Sequence, residues 1–311
     1  MDIIMVFSTV FMMGIIIFFG YLLSIKLSIT VEVKHFVMTV IINLAMPAII
    51  LNGVFQTDIT NALLHQIVTV FIISIVFNVV GILLALAVAR IFKFQSLKAK
   101  KIAILSGLGN TGFIGIPLCA TIFGPVGGLL AAIFDAGLDI VIFTLVLYLL
   151  QNEKKFELRQ LKALLNAPVF AIIIGMTIAV IGYQPPVMVK QLAATLSSIA
   201  APLAMLYIGM LLAPLLKQKM KLPISFLSIP LLLKLLLLPV LFMVVILYIP
   251  IDEQVQEIVV LQVAMPTFML ASVLFSKYLG DEHTAVLTTI YSTLLSLATI
   301  PLISFLYLLL F

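Results

Sequence analysis

The chain has 311 residues, of which 64% are hydrophobic and only 9% are charged. Soluble domains carry about 45–50% apolar and about 25% charged residues, so this composition excludes a soluble domain and indicates a membrane protein. The net charge of +5 comes from loops between apolar segments, which indicates contact with acidic lipid rather than with nucleic acid. The single cysteine, Cys119, excludes an intrachain disulfide.

Apolar runs of about 20 residues, enough to cross about 30 Å of hydrocarbon, recur ten times along the chain. The first run has no basic segment before it and no small-residue cleavage site, so we interpret it as a permanent helix rather than a signal peptide. Pro168 and Gly175 interrupt the sixth run. The predicted spans lie near residues 3–23, 36–55, 64–89, 102–123, 126–150, 164–183, 192–215, 224–249, 258–279 and 284–311.

The two halves of the chain are distant copies of each other at a shift of 155 to 156 residues, in which Pro47 aligns with Pro202 and Thr111 with Thr267. Duplicated halves with broken apolar helices at matching positions are typical of secondary transporters. Because each half has an odd number of spans, the second copy enters the membrane in the opposite orientation. The predicted units are a first repeat at 1–151, a short cytoplasmic linker at 152–165 and an inverted second repeat at 166–311.

The charges in the loops orient the predicted bundle, because cytoplasmic loops of membrane proteins are enriched in Lys and Arg. With both termini outside, all but two of the 17 basic residues lie in inner loops. The two others are Lys190, in an outer loop, and Lys234, in the middle of the eighth span. The opposite orientation reverses this bias, so we predict a multi-pass plasma-membrane (cell-membrane) protein with its N- and C-termini outside.

The fourth span contains the sequence GLGNTGFIGIP at residues 107–117. Four glycines, an asparagine and a proline cannot form one continuous helix in lipid, so we predict two half-helices joined by an unwound stretch. In the ninth span, QVAMPT at residues 262–267 should break in the same way, with Pro266 in the first turn of the second half-helix. A single break often serves only close helix packing, but a cluster matched in both halves favours a binding site.

The beginnings of two half-helices near the membrane midplane favour an anion, most simply a carboxylate, because they present free N–H groups and positive dipole ends. Amides and hydroxyls near the breaks would add neutral hydrogen-bond partners. Pro47 and Pro202 are interpreted as helix kinks, whereas the polar residues four positions before them are expected along the substrate path. The predicted substrate contacts are Asn43, Asn110, Thr111, Gly112, Pro117, Ser198, Gln262, Pro266 and Thr267.

Ionisable groups inside membrane spans are costly and indicate function. Asp135 and Asp139 lie four residues apart on one face of the fifth span. Their like charges favour protonation of one of them, which suits proton transport, although one or both could instead stay protonated and only form hydrogen bonds between helices. Lys234 occupies the repeat position of Asn78 and should lie near the breaks, unless a buried ion pair holds it for stability alone. Asn78 joins the two aspartates as a cation ligand if transport requires sodium.

The sequences NLAMP at 43–47, GNTGFIGIP at 109–117 and VAMPTFMLAS at 263–272, with a lysine in the eighth span, resemble the auxin efflux carrier family of membrane transporters. Bacterial members of that family include malonate and malate permeases. The resemblance covers essentially the whole chain. It implies a fold similar to bile-acid/sodium symporters, with ten helices in a 5+5 inverted repeat. Helices four and nine would cross at the substrate site.

The resemblance also implies how the molecule moves. Spans 3–5 and 8–10 would form a transport domain that moves like an elevator against a scaffold of spans 1, 2, 6 and 7. Two copies would form a homodimer through the scaffold helices.

We therefore predict an all-α integral membrane protein that acts as a secondary active transporter of a small organic anion, a mono- or dicarboxylate, by alternating access. A sodium-coupled organic-anion symporter of the same fold is the alternative. An intramembrane enzyme is not favoured, because neither HExxH nor GxSxG occurs and both mid-span aspartates share one helix. A channel would favour a ring-forming oligomer with a repeated filter. No cofactor, metal site or nucleic acid partner is expected.

Overall fold

The computed structural model describes residues 2–27, 29–58, 60–151, 162–217 and 224–310. These residues are almost entirely helical, and their only β pairing is an isolated antiparallel bridge between Gly109 and Thr267. Most of the predicted linker at 152–165 lies outside the described residues. The same holds for several basic residues of the predicted inner loops: Lys154, Lys155, Arg159, Lys219 and Lys221.

Eleven helical segments can be followed through the described ranges, and seven of them are long and apolar enough to cross a membrane. The segments are α1 Ile3–Lys26, α2 Val31–Phe55, α3 Asn61–Ile91, α4 Ser96–Gly107, α5 Thr111–Leu150, α6 Ala167–Ile181, α7 Val187–Ala213, α8 Phe226–Leu247, α9 Glu253–Val263, α10 Ala271–Leu279 and α11 Glu282–Leu310. The seven long, apolar segments are α1, α2, α3, α5, α7, α8 and α11. The difference from the ten predicted spans arises because the fourth and fifth spans join in α5, whereas α4, α6, α9 and α10 are short.

Helix α5 contains one non-helical residue, Gly124, with φ 69° and ψ −161°. Positive φ is readily available only to glycine, and the following Pro125 disfavours helical geometry at the residue before it. The helix therefore consists of two segments that meet between the fourth and fifth predicted spans.

Helix α6 begins with an asparagine cap and a proline. The Asn166 side-chain oxygen accepts a hydrogen bond from the Val169 N–H at 3.0 Å, and Pro168 lies in the first turn, where the missing N–H costs little. Pro168 therefore begins the helix of the sixth span, and the expectation that it interrupts this span was wrong.

Three helices loosen into a π turn shortly before a proline. The π turns Ile41–Ala45, Thr111–Gly115 and Leu233–Leu237 are followed by Pro47, Pro117 and Pro239. Proline has no N–H and its ring clashes with the carbonyl four residues earlier, so the preceding turn widens. All three widened turns contain polar residues of the predicted site, namely Asn43, Thr111 and Lys234.

Glycines bring α1 and α7 into close contact. A Cβ built on Gly209 would lie 2.8 Å from Gly20 Cα and 2.7 Å from Tyr21 N, nearer than real Cβ atoms approach. The Ser24 hydroxyl donates to the Met210 carbonyl oxygen at 3.2 Å across the same contact. Small residues and interhelical hydrogen bonds of this kind hold membrane helices together, so α1 and α7 form a tightly packed pair.

An ion pair joins α4 to the turn between α10 and α11. Lys101 is paired with Asp281, which also accepts a hydrogen bond from the Thr284 hydroxyl at 2.7 Å. Burial alone would raise the pKa of the Asp281 carboxyl, but the hydrogen bonds from Lys101 and Thr284 outweigh it and hold this pKa below its ordinary value. The contact places these ends of α4 and α10 on the same side of the bundle.

Candidate functional site

Two interruptions of the helices lie against each other. The first break, residues 108–110, separates α4 from α5, and the second break, residues 264–270, separates α9 from α10. The Asn110 N–H donates to the Pro266 carbonyl oxygen at 2.6 Å, next to the isolated bridge described above. Because lipid offers no hydrogen-bond partners, unwound backbone at membrane depth must be satisfied by protein in this way.

The second break differs from the prediction in one respect. Pro266 was expected in the first turn of the second half-helix, but α10 begins only at Ala271. Pro266 lies instead in the non-helical stretch, and its carbonyl oxygen pairs with the first break. The pairing between the breaks therefore delays the start of α10.

Thr267 joins three parts of the chain. Its hydroxyl donates to the Leu105 carbonyl oxygen at 3.0 Å, and its N–H donates to the Ser292 hydroxyl oxygen at 3.1 Å. The residue has no exposed surface. In this conformation Thr267, predicted as a substrate contact, joins the second break to α4 through its side chain and to α11 through its backbone N–H.

A cavity of about 240 Å³ lies beside the first break, and we call it the central cavity. Its apolar walls come from α2, α5 and the second break, and include Ile42, Met46, Phe143 and Met269. The structure brings several sequence-predicted residues together here, along with one that was not predicted. The polar residues and the glycine at the polar edge are Asn110, Thr111, Gly112, Asp135, Asp139 and Asn166.

Each aspartate of the central cavity accepts a hydrogen bond from another segment. The Thr111 hydroxyl donates to Asp135 Oδ1 at 2.5 Å, and Asn166 Nδ2 donates to Asp139 Oδ2 at 2.9 Å. A Cβ on Gly112 would lie 3.0 Å from Asp135 Oδ2, so the glycine allows this carboxylate to approach the beginning of α5. Among the described residues that line the cavity, none is basic.

Among the residues that the structure describes, two buried polar atoms beside the breaks have no hydrogen-bond partner, namely Asn110 Nδ2 and Gln262 Oε1. Leaving a buried polar group unpaired costs about 1–3 kcal/mol, so such atoms indicate a ligand or a bound water. Asn110 Nδ2 is a donor and suits an anion. The opposite end of the Gln262 amide lies 3.8 Å from Cys119 Sγ.

Lys234 lies directly behind the first break and is only 4% exposed. Its ammonium donates to the Val263 carbonyl oxygen at 3.3 Å, and a Cβ on Gly109 would lie 3.2 Å from its Nζ. Within the part of the chain that the structure describes, no carboxylate lies within ion-pair distance of this ammonium. A buried, uncompensated positive charge is costly, so this charge favours an anionic ligand.

A small cavity of about 10 Å³ connects Lys234 with other predicted residues, and Asn78, Gly109 and Gln262 line it. This volume is close to the minimum that holds one water molecule. Because Gly109 lines both cavities, its backbone lies between the lysine and the central cavity.

Asn78 is held in place by Ser74, one turn earlier in α3. Its Nδ2 donates to the Ser74 carbonyl oxygen at 2.8 Å, and the Ser74 hydroxyl donates to the Phe134 carbonyl oxygen at 2.5 Å. Sequence reasoning missed Ser74 and Asn166. The sequence Asn166-Ala167-Pro168 did offer a signal, since an asparagine cap followed by proline marks the start of a helix.

The remaining predicted contacts lie away from the central cavity. Pro117 and Ser198 line a separate cavity of about 170 Å³. Asn43 is exposed and lines neither cavity.

Comparisons with known proteins show the family of the chain. The family described as membrane transport protein matches residues 5–160 and 156–304 of the chain. An uncharacterized transporter of Methanothermobacter thermautotrophicus is 25% identical over 296 residues, which cover 95% of this chain and 96% of that relative. An uncharacterized transporter of Methanocaldococcus jannaschii is 28% identical over 206 residues, or 64% of this chain and 67% of that relative. The chain therefore belongs to the membrane transport protein family, the auxin efflux carrier family that its motifs resemble, and is a multi-pass membrane transporter rather than an enzyme.

Proposed function

We propose that the protein is a secondary active transporter of a small organic anion, a mono- or dicarboxylate, that works by alternating access. The carboxylate binds where the two breaks meet. The observation that supports this most directly is the buried ammonium of Lys234 behind the first break, which has no carboxylate partner among the described residues. The unpartnered donor Asn110 Nδ2 and the beginning of α5 supply hydrogen bonds on the cavity side.

The charges around the breaks favour proton-coupled uptake. With both aspartates ionised, Asp135, Asp139 and Lys234 sum to one negative charge, which repels an incoming anion. Protonation of one aspartate neutralises the group, and protonation of both leaves a net positive charge. We propose Asp135 as the proton carrier, because it contacts the beginning of α5 through Thr111.

A sodium-coupled symporter is the second candidate, because the oxygens of Thr111, Asp135 and Asp139 lie around one cavity. A sodium ion there would be repelled by the Lys234 ammonium. Like charges about 4 Å apart cost about 4 kcal/mol at an effective dielectric constant of about 20. We therefore favour coupling of transport to protons over coupling to sodium.

The proposed architecture is the ten-span, 5+5 inverted repeat with an elevator-like transport domain. Helices α1, α2, α6 and α7 form the scaffold, through which two copies make a homodimer in the lipid bilayer of the cell membrane. The central cavity supports this division, because Ile42, Met46, Asn166 and Pro168 line it from scaffold segments and the other residues come from the proposed transport domain.

A thermal-shift and binding screen of mono- and dicarboxylates on the purified protein tests the proposal. We expect at least one carboxylate to bind and Asn110→Ala to weaken it about tenfold to over a hundredfold, because a hydrogen bond to a charged ligand is worth about 1.5–3 kcal/mol. Asn61→Ala, at an exposed asparagine that begins α3, is the matched control. Wild-type affinity in Asn110→Ala would exclude this residue as a ligand. Counterflow in proteoliposomes distinguishes a carrier from a channel.

The proposed orientation, with both termini outside, predicts which loops react with an impermeant thiol reagent in intact cells. In a background without the buried Cys119, a cysteine at Asp58 or Asp252 should be labelled from outside, because both positions lie in proposed outer loops. A cysteine at Lys155 should be labelled only after the membrane is permeabilised. Labelling of position 155 in intact cells would contradict the orientation.

A further inference from the structure

A second cavity lies farther along α5 than the central cavity, and we call it the outer cavity. Its volume is about 170 Å³. Residues 117–121 contribute to its lining, whereas residues 109–113 line the central cavity. The buried residues 114–116 separate these two stretches of the chain. The two cavities therefore lie on either side of one short, closed stretch of α5.

Two residues that line the outer cavity are repeat counterparts of residues that line the central cavity. Ile42 and Met46 of α2 line the central cavity. At the shift of 155 residues, their counterparts are Ser197 and Ala201 of α7, and both line the outer cavity. Because an inverted repeat places corresponding segments at opposite sides of the membrane, the outer cavity lies on the side of the breaks that faces the predicted exterior.

The chemistry of the outer cavity is polar and neutral. Asn52, Thr121 and Ser198 supply an amide and two hydroxyls, and no described residue that lines the cavity is charged. Asn52 is 9% exposed, and its Oδ1 accepts a hydrogen bond from Gln56 Nε2 at 2.5 Å, which leaves Nδ2 as the donor end of the amide. The hydroxyls donate to carbonyl oxygens of their own helices, at 2.9 Å for Thr121 and 2.7 Å for Ser198. These donors can turn toward an anion.

We propose that the outer cavity holds the transported anion on the exterior side of the breaks, with Asn52, Thr121 and Ser198 as its contacts. This inference rests on the proposed function and adds a second site for the same carboxylate. Neutral donors without a cation hold a carboxylate more weakly than a site next to Lys234, because the ammonium adds a Coulomb attraction that neutral donors lack. Weak binding suits a position from which the anion is released.

Cysteine modification with an anionic probe tests this site. The probe is 2-sulfonatoethyl methanethiosulfonate, a small impermeant anion, added outside sealed proteoliposomes or cells. In a background lacking Cys119, Ser198→Cys should react about tenfold or more faster than Ile199→Cys, because only a hydrated thiol forms the reactive thiolate. Ile199 is the matched control, since it is exposed on the same helix but does not line the cavity.

A second comparison tests whether the cavity recognises an anion. Adding Asn52→Leu to Ser198→Cys should slow the anionic probe about tenfold, the value of one hydrogen bond to a charged group. The rate with the cationic trimethylammonium analogue should change little. If Asn52→Leu does not insert into the membrane, Thr121→Val offers the same comparison with a nearly isosteric side chain.

Equal rates at positions 198 and 199, or an equal loss of rate with both probes, would overturn the inference. The labelling needs no bound carboxylate, so its failure is distinct from failure of the proposed function. If carboxylates bind but the two rates are equal, only the outer cavity is excluded as a site. If no carboxylate binds the wild-type protein, the proposed function itself fails.

Discussion

Lys234→Met is expected to weaken carboxylate binding about 30-fold to 1,000-fold. The ammonium and a carboxylate at the breaks would attract each other by about 2–4 kcal/mol at separations of about 4–8 Å and an effective dielectric constant of about 20. Methionine keeps most of the length and volume of the lysine side chain but has no charge. Lys234→Ala should also lose binding, with additional loss of packing. Equilibrium binding of a carboxylate identified in the screen measures both effects.

Although Lys234→Met should weaken binding, it should stabilise the ligand-free protein. The buried ammonium has one hydrogen bond in the structure and no carboxylate partner among the described residues. Removing it should therefore raise the melting temperature of the ligand-free protein. Lys98→Met, at an exposed lysine, should change neither the carboxylate affinity nor the melting temperature. A variant that is less stable but still binds carboxylate normally would show that Lys234 serves structure alone.

The helix breaks could be predicted from local sequence, because glycine and proline act on the backbone of their own turn. The cluster at residues 107–117 indicated the first break, and the structure ends α4 at Gly107. Gly124 and Pro125 likewise interrupt the helix at the boundary between the fourth and fifth spans. Such effects need no knowledge of the rest of the fold.

Contacts between distant segments could not be predicted in the same way. Pro266 was placed in a helix by its local preference, but its carbonyl oxygen pairs with Asn110, more than 150 residues away in the chain. The hydrogen bond between Asn166 and Asp139 likewise depends on how α6 packs against α5. Residue type indicated that the aspartates were functional candidates, whereas their partners follow only from tertiary structure.

Asp135→Asn should abolish proton-driven accumulation of the carboxylate while leaving exchange of internal for external substrate intact. Asparagine keeps an oxygen that can accept the hydrogen bond from Thr111, but it cannot release a proton. In the wild-type protein, one proton carried with each monoanion gives up to about tenfold accumulation per unit of pH gradient, because 1.4 kcal/mol corresponds to a factor of ten. Uptake and counterflow into proteoliposomes measure the two activities separately. Asp58→Asn, at an exposed carboxylate in a proposed outer loop, is the control.

The same transport measurements decide between proton and sodium coupling. Because the Lys234 ammonium already places a fixed positive charge beside the first break, a bound sodium ion would be repelled there. Uptake should therefore be unchanged when sodium is replaced by choline. Export of a monoanion would instead be driven by the inside-negative membrane potential, at about 2.3 kcal/mol per charge for each 100 mV. Strict dependence on sodium would contradict the proton mechanism and would instead assign Asn78, Asp135 and Asp139 as cation ligands.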